Sequence, residues 1–401
     1  MSRPLGSKNK PKQNNIVRCI ELNKYIKNSP EVNDKTPYKW IPYGKNNKYP
    51  LYLLNLYYNS IIHHSCVDFL VNSILGDGID YESMKFDGNQ LTPNSTETWE
   101  TFIMKISFDL VVFGAFSFQI IRNRDGRTFS FYHQPFSTVR LGKKNENGVI
   151  EKAYLSRDWS NFVENKPIEI DLLTPNMEIN SSKPFLFVFQ SYNPIDEYYG
   201  MPHYIGAISA IESEISMKTY DLMSIKNNFT SNGIVTLNQV NSDEERDLIL
   251  RNIESMFKGE ENANKLIVTF RNSLEDKPIE YTPIAANVEG VNLFSDTNER
   301  CIDRIISSHR IASKALIGLP MDTSGFSNEG HLLEVAYNLT NKLIINNFRQ
   351  VVTKVLNKML NMNGIEQNII LKPLSFVISN STDQNTASEQ IADNNNETNN
   401  D

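Results

Sequence analysis

The stretch Tyr198–Phe229, YYGMPHYIGAISAIESEISMKTYDLMSIKNNF, decides how the rest of the chain is read. It opens on a turn at Gly200 and carries Pro202 near the first helical position, where a missing N–H costs little. Ile208, Ile211, Ile215, Leu222, Ile225 and Phe229 then recur at steps of three and four, with one gap at Lys218. This spacing predicts a single helix to about Asn228, roughly 40 Å long at 1.5 Å per residue.

Downstream the pattern changes to short strands. GIVTL (233–237), KLIVTF (265–270) and PIEYTPI (278–284) each read as a strand. Between the first two, Ser242 and Glu245 have the spacing of a capping box for a helix ending at Gly259. Asp296 and Glu299 then open another helix, which carries Cys301, Ile302, Ile305 and Ile306 to His309. A polar gap follows from Gly318 to Ser327, with Pro320, Gly325 and then Gly330 around it. After it, Leu332 to Met362 reads as one helix of about thirty residues. Its predicted apolar stripe is Leu332, Val335, Leu339, Leu343, Val351, Val355 and Met359, and Asn363-Gly364 ends it. A last strand, NIILKPLSFVI (368–378), is expected before the tail. The helix of the opening stretch and the one ending at His309 thus bracket a small insert, and a second connection lies between helices.

Upstream, Pro50 to Leu75 predicts one or two helices broken near Asn59 and capped by Gly76. Asn94 and Glu97 suggest a second capping box, for a helix bearing Trp99, Phe102, Ile103, Ile106 and Leu110. GAFSFQIIRNRDGRTFSFYHQ (114–134) alternates about Asp125-Gly126, a hairpin signature. Further strands are expected at Ala153–Leu155, Ile168–Leu172 and Phe185–Phe189. The fold class is α+β.

Composition bounds the rest. The chain has 401 residues, 40 % hydrophobic and 22 % charged, which is a soluble globular balance. There is no run of eighteen apolar residues and no apolar signal core, so neither a membrane span nor secretion is expected. Cys19, Cys66 and Cys301 lie far apart and predict buried thiols in a reducing compartment. The net charge of −7 argues against a surface that grips nucleic acid everywhere. The two ends differ: Arg3, Lys8, Lys10, Lys12 and Arg18 stand without an acid up to Ile20, whereas Asp383, Glu389, Asp393, Glu397 and Asp401 stand without a base at the other end. Both read as flexible tails.

The search for chemistry returns no phosphate loop, no dinucleotide fingerprint, no HExxH, no Cys-x-x-Cys and no nucleophile elbow. Asp196-Glu197 reads as a solvated turn, and His133, His203, His309 and His331 as isolated packing or surface residues. No enzyme, metal or cofactor is expected.

The order of these pieces resembles the portal proteins of tailed bacteriophages. Tyr199, Gly200 and Pro202, the Ile-rich helix to Phe229 and Asn232-Gly233 are similar to the first stem helix and the entry to the clip. Phe294, Arg300, Ile305, Arg310, Ile311, Leu316, Ile317 and Gly318 are similar to the second stem helix. YPLYLLNLYYNSIIHHSCVDFLVNSILGDGIDY (49–81) and FDLVVFGAFSFQIIRNRDGR (108–127) resemble the wing. The likeness runs from about Tyr49 to Val377. The chain departs from the family at Ala312 and Ser313, where a proline is common, and it is too short for a large crown.

The resemblance implies an arm (1–48), an α+β wing (49–193), a first stem helix (194–229), a small α/β clip (230–284), a second stem helix (285–310), a tunnel loop (311–330), a long wing helix with a final strand (331–378) and an acidic tail (379–401). It implies a homo-oligomeric ring, most often of twelve subunits, at one capsid vertex of a virion assembled in the host cytoplasm. DNA would pass through its channel during packaging and ejection. The implied partners are double-stranded DNA, the large terminase, a head–tail adaptor and the major capsid or scaffolding protein.

The implied tunnel-loop residues are Gly318, Pro320, Met321, Asp322, Thr323, Ser324, Gly325 and Phe326. Stem packing falls to Ile208, Ile211, Ile215, Leu222, Ile225, Phe229, Ile302, Ile305 and Ile306, because a lone pair of such helices would leave apolar stripes wet. Candidate DNA contacts are Arg310 and Lys314, with Arg3, Lys8, Lys10 and Lys12 in an arm that resembles minor-groove binders but lacks a second arginine near Gly6. The insert from Thr230 to Pro283 holds ten acids against six bases, so an acidic or neutral passage is expected. The other reading is a non-enzymatic DNA-binding adaptor that uses this arm.

Overall fold

The computed structural model describes residues 35–82, 92–174, 183–226, 233–237, 266–270, 279–283, 288–320 and 329–375, with positions 242, 244, 247–249 and 251 between them. The fold is α+β, as expected. Helices α1 (Tyr49–Asn59) and α2 (Ile61–Leu75) are separated at Ser60, which caps α2 by accepting from the His63 N–H at 3.0 Å. Helix α3 (Trp99–Phe113) is capped by Thr98 rather than Asn94. Asn94 instead folds an Asx turn onto Thr96 and donates to the Phe131 carbonyl, so its side chain is spent before the helix begins.

Strands β1 (Ala115–Arg122), β2 (Phe129–Gln134), β3 (Val139–Leu141), β4 (Lys152–Leu155), β5 (Ile168–Leu172) and β6 (Phe185–Gln190) form one sheet in the order β2-β1-β6-β5-β4-β3. Only β5 and β6 run parallel. The core lies where α3 covers this sheet: Phe116 faces Phe189 and Phe118 faces Phe187 across β1 and β6, with ring centroids 5.2 and 4.8 Å apart. Gly114 closes α3 at φ +68, and a Cβ there would stand 2.4 Å from the Met201 carbonyl oxygen. Only glycine allows both the turn and the approach.

The segment before α1 is pinned to this sheet. The Tyr43 ring stacks on Tyr199 at 4.0 Å, and the Tyr199 hydroxyl donates to the Ile41 carbonyl. Beside them Arg140 is buried, and none of its hydrogen bonds among the described residues is to a carboxylate. Its guanidinium donates to the Asn47 side chain and carbonyl and to the carbonyls of Ser137 and Val139, and it lies over Trp159. Burial lowers its pKa to about 10, so it stays charged at neutral pH.

Helix α4 (Ile208–Lys226) starts later than the sequence suggested: a turn holds Pro202, and a 3-10 turn at Ile205–Ala207 precedes it. A separate sheet, β8 (Leu266–Phe270), β7 (Gly233–Leu237), β9 (Ile279–Pro283), falls between α4 and α5 (Val288–Ser308). Helix α5 begins eight residues before the expected cap at Asp296. The expected capping box pairs Ser242 with Glu245, and Glu245 lies outside the described residues.

The long C-terminal rod is α6 (Glu329–Thr340) and α7 (Asn346–Met362), joined without a break by one π turn, Asn341–Ile345. The Asn346 N–H bonds the Asn341 carbonyl five residues back. The predicted stripe is corrected here. Leu332, Val335, Leu339 and Leu343 are all 45–50 % exposed, and the buried face is instead Tyr337, Ile344, Ile345, Val352, Val355, Leu356, Met359 and Leu360. At 100° per residue the first four point away from Met359, so the single stripe was two faces. No strand follows within the described residues. The segment 365–375 runs extended, bridged at Leu371 to Ile79, because only a few backbone bonds, such as Lys372 N–H to Gly78 C=O, tie it down.

Candidate functional site

The candidate site is the paired helices α4 and α5 with the segment that leaves α5. Their inner halves root in the core: Ile208, Ile211, Ile305 and Ile306 are buried, as are Met217 and Cys301. Ile215 and Ile302 are half-buried against the same core. Further along α4, Lys218, Thr219, Tyr220, Asp221 and Leu222 are all exposed, and so are Asn298, Glu299 and Arg300 of α5. The outer part of the pair is therefore exposed: its described side chains are mostly polar or charged, with Tyr220 and Leu222 as the exposed apolar ones. Ile225 lies in α4 by its backbone, and Phe229 lies outside the described residues.

Three hydrogen bonds fix the angle of exit. Tyr52 donates to Glu212 at 2.8 Å, the Ile61 N–H donates to Glu214 at 3.1 Å, and the Lys218 ammonium donates to the Asn59 carbonyl at 2.7 Å. The first ties α4 to the start of α1, and the other two tie it to the α1–α2 junction.

At the root, the structure corrects the reading of the histidines as isolated. His63 of α2, His309 at the end of α5 and His203 in the turn before α4 form a row, with His63 Nδ1 to His309 Nε2 and His309 Nδ1 to His203 Nε2 both 2.9 Å. Tyr204 stacks on His309 and Phe348 sits edge-on to His203. The outer nitrogens, His63 Nε2 and His203 Nδ1, have no hydrogen-bond partner among the described residues. Burial is the main cause that lowers all three pKa values, to about 3 for His63 and His203 and well below the ordinary value for His309; the neighbouring rings add to it. All three rings are neutral at pH 7. Each inner nitrogen pair then shares one proton, so the row is a buried polar clasp joining three segments. Their separation of 246 residues, from His63 to His309, hides it in the sequence. The local signal was the run of apolar and aromatic neighbours: Ile62, Tyr204, Ile305 and Ile306.

After His309 the backbone turns sharply at Arg310, which is exposed at φ +57. Ile311 is buried, the Ala312 N–H bonds Thr340 at 2.9 Å, and Lys314–Ile317 form a 3-10 turn capped by Ser313 and ended by Gly318 at φ +84. The first part of the expected loop is thus held: Leu316, Ile317 and Leu319 pack against the core. Gly318 and exposed Pro320 stand at its edge, whereas Met321, Asp322, Thr323, Ser324, Gly325 and Phe326 lie outside the described residues. Arg310 and half-buried Lys314 line one groove of about 540 Å³ together with Asp303, Ile306 and the exposed Leu339 and Leu343. Arg3, Lys8, Lys10, Lys12 and Cys19 lie outside the described residues, and Cys66 and Cys301 are buried free thiols. Among the described residues no cluster of three or more His, Cys, Asp or Glu side chains is placed to hold a metal ion, and no helix is long and apolar enough to cross a membrane.

No protein-family profile matches the chain, and no curated protein matches its sequence. Solved structures do. A chain in the neck of the empty gene transfer agent (GTA) particle, computed with C6 symmetry, is 14 % identical, with 86 % of this chain and 87 % of that one covered at a TM-score of 0.53. A chain in the neck of the native GTA particle, computed with C12 symmetry, is 13 % identical, with 85 % and 88 % covered at 0.50. An HK97 family phage portal protein from Corynebacterium diphtheriae is 11 % identical, with 80 % and 94 % covered; its TM-score of 0.41 is too low to carry an argument. The fold of this chain is that of the neck chains, over most of both lengths.

Proposed function

We propose that the protein is a portal subunit. It would form a homo-oligomeric ring at one virion vertex, through which double-stranded DNA is packaged and ejected. The observation that carries this reading is the helix pair that leaves a self-contained α+β body with its outer flank unburied and a small three-stranded sheet between its ends. A lone subunit gains nothing from such a flank; copies arranged head to tail cover it and close a ring. The shared fold with chains from a particle neck, one of them computed with C12 symmetry, supports the same reading.

In this reading α4 and α5 are the stem, β7–β9 belong to the clip, and residues 318–326 are the tunnel loop facing the channel. The acidic insert is the docking side for the large terminase, and the opposite end meets a head–tail adaptor. DNA carries a charge about every 1.7 Å, so a passage that must let it slide is best lined by acidic or neutral groups, with Arg310 and Lys314 as the sparse basic contacts. The ring has no catalytic step of its own; the motor is its partner.

Mass photometry of the full-length protein tests the proposal. A species near twelve times the 45.9 kDa chain is expected. A stable monomer across concentration and salt would exclude the ring and leave the arm-based DNA-binding adaptor.

A further inference from the structure

A second groove lies where α2 begins, between the emerging part of α4 and the middle of α5. It has a volume of about 340 Å³ and is lined by Ile61, Glu214, Met217, Lys218, Asp221 and Ile302. Ile61 is 60 % exposed, an apolar side chain at the groove rim with nothing over it. Glu214 is only 5 % exposed; its Oε1 accepts the Ile61 N–H, and its Oε2 has no hydrogen-bond partner among the described residues. A buried carboxylate oxygen left without a donor is costly, and such atoms are rare unless something outside the subunit completes them. The Lys218 ammonium is directed to the Asn59 carbonyl at the end of α1. Asp221 is exposed one helical turn beyond Lys218, so the groove presents carboxylate to whatever enters it.

The other flank of α5 carries the complementary charge. Arg304 is exposed and sits two residues from groove-lining Ile302, about 200° around the helix and about 3 Å along it. Arg300 is exposed one turn earlier, its Nη2 donating to Thr297. The helix pair thus has a carboxylate groove on one side and, on the other flank of α5, exposed Arg300 and Arg304 with exposed Asp303 beside them. Two unlike flanks can only meet in a head-to-tail contact, which is the type that closes rings.

We propose that Arg304 of one copy enters this groove of the next copy and pairs with Asp221 at its mouth and Glu214 beneath. The inference takes the ring reading as its premise and supplies the contact by which neighbours recognise each other. A guanidinium suits the task, because its planar fork offers parallel donors to carboxylates while its stem covers Ile61 and Met217.

Full-length Arg304→Glu, Asp221→Arg, the double variant and an equimolar mixture of the two single variants would be followed by mass photometry, with circular dichroism as a check on folding. Both substitutions are at exposed positions, so the subunit is expected to fold. Each single variant should need at least a tenfold higher concentration than wild type to assemble. The double variant should recover, and so should the mixture, in which each reversed side meets its complement. Glu214→Gln, which keeps the Ile61 bond, should weaken assembly less than Asp221→Arg. Single variants that assemble like wild type, or a mixture and double variant that both fail to recover, would overturn the contact while leaving the ring intact. Wild type that never assembles would instead remove the ring itself.

Discussion

Each imidazole of the row His63–His309–His203 is buried and neutral, and among the described residues none is hydrogen-bonded to a carboxylate that would stabilise a second proton. Their folded pKa values are lowered, so between about pH 6.5 and about pH 3 the unfolded chain binds protons that the folded chain refuses. Stability therefore rises with pH across that window and falls on acidification, by about 1.4 kcal/mol per pH unit for each ring once below pH 6.5. Asp109 acts in the opposite sense at the acid end. Burial raises its pKa against the pull of His133, so the folded state there holds a proton the unfolded state has lost. Three rings outweigh one carboxyl, and urea unfolding should show a lower midpoint at pH 5 than at pH 7. His309→Gln keeps one donor and one acceptor at the centre of the row and should flatten that pH dependence by about a third. An unchanged slope would mean that His309 binds as many protons in the folded as in the unfolded protein.

At the scale of elements, the tightest constraint is the crossing of the α3 terminus with the turn before α4. Gly114→Ala would strain a left-handed position and drive a Cβ into the Met201 carbonyl, so a loss of about 2 kcal/mol or more is expected in thermal or urea unfolding. Gly126→Ala offers the comparison. It too has positive φ, but with nothing within 4 Å it should lose only the turn strain.

Such local necessities are what made much of the fold legible. Alternation about Asp125-Gly126 gave the hairpin, and apolar periodicity gave α1 to α4. The errors have physical causes as well. Asn94 and Glu97 have capping-box spacing, but the Asn94 Oδ1 that would cap accepts from the Thr96 N–H and hydroxyl instead, while its Nδ2 donates to Glu97 and to the Phe131 carbonyl. The single stripe drawn from Leu332 to Met359 assumed one set of residues facing one partner, whereas the π turn and the exposed α6 face show two. The helices of the candidate site were legible from their periodicity, but Ile208, Ile211, Ile305 and Ile306, expected to pack against a neighbouring copy, lie in the subunit's own core, because their ends of the helices root in the body. It was not legible at the histidine row, because its contacts are made between segments and no spacing records them.

For the whole molecule, the proposed loop and the proposed contact lie at different places and should fail differently. The helices that flank residues 318–326 are held independently: α5 by the core and the histidine row, and the rod by its own buried face and by Asn363, which exchanges bonds with the Phe129 backbone. Deleting Met321–Phe326 should therefore leave assembly by mass photometry unchanged while lowering DNA packaging or retention in particles. Loss of assembly would show that the segment belongs to the subunit contact instead.

The two helices that bracket β7–β9 are each anchored in one shared core, and this decides what a protease would do. A single cut between β7 and β8 would sever the polypeptide without dividing the subunit, since Ile208 and Ile211 hold one fragment and Ile305 and Ile306 hold the other in the same interior. The nicked protein would migrate as two bands under denaturing conditions yet elute as one body under native ones. The outlying sheet could then be exchanged or loosened without dissolving the scaffold that bears it.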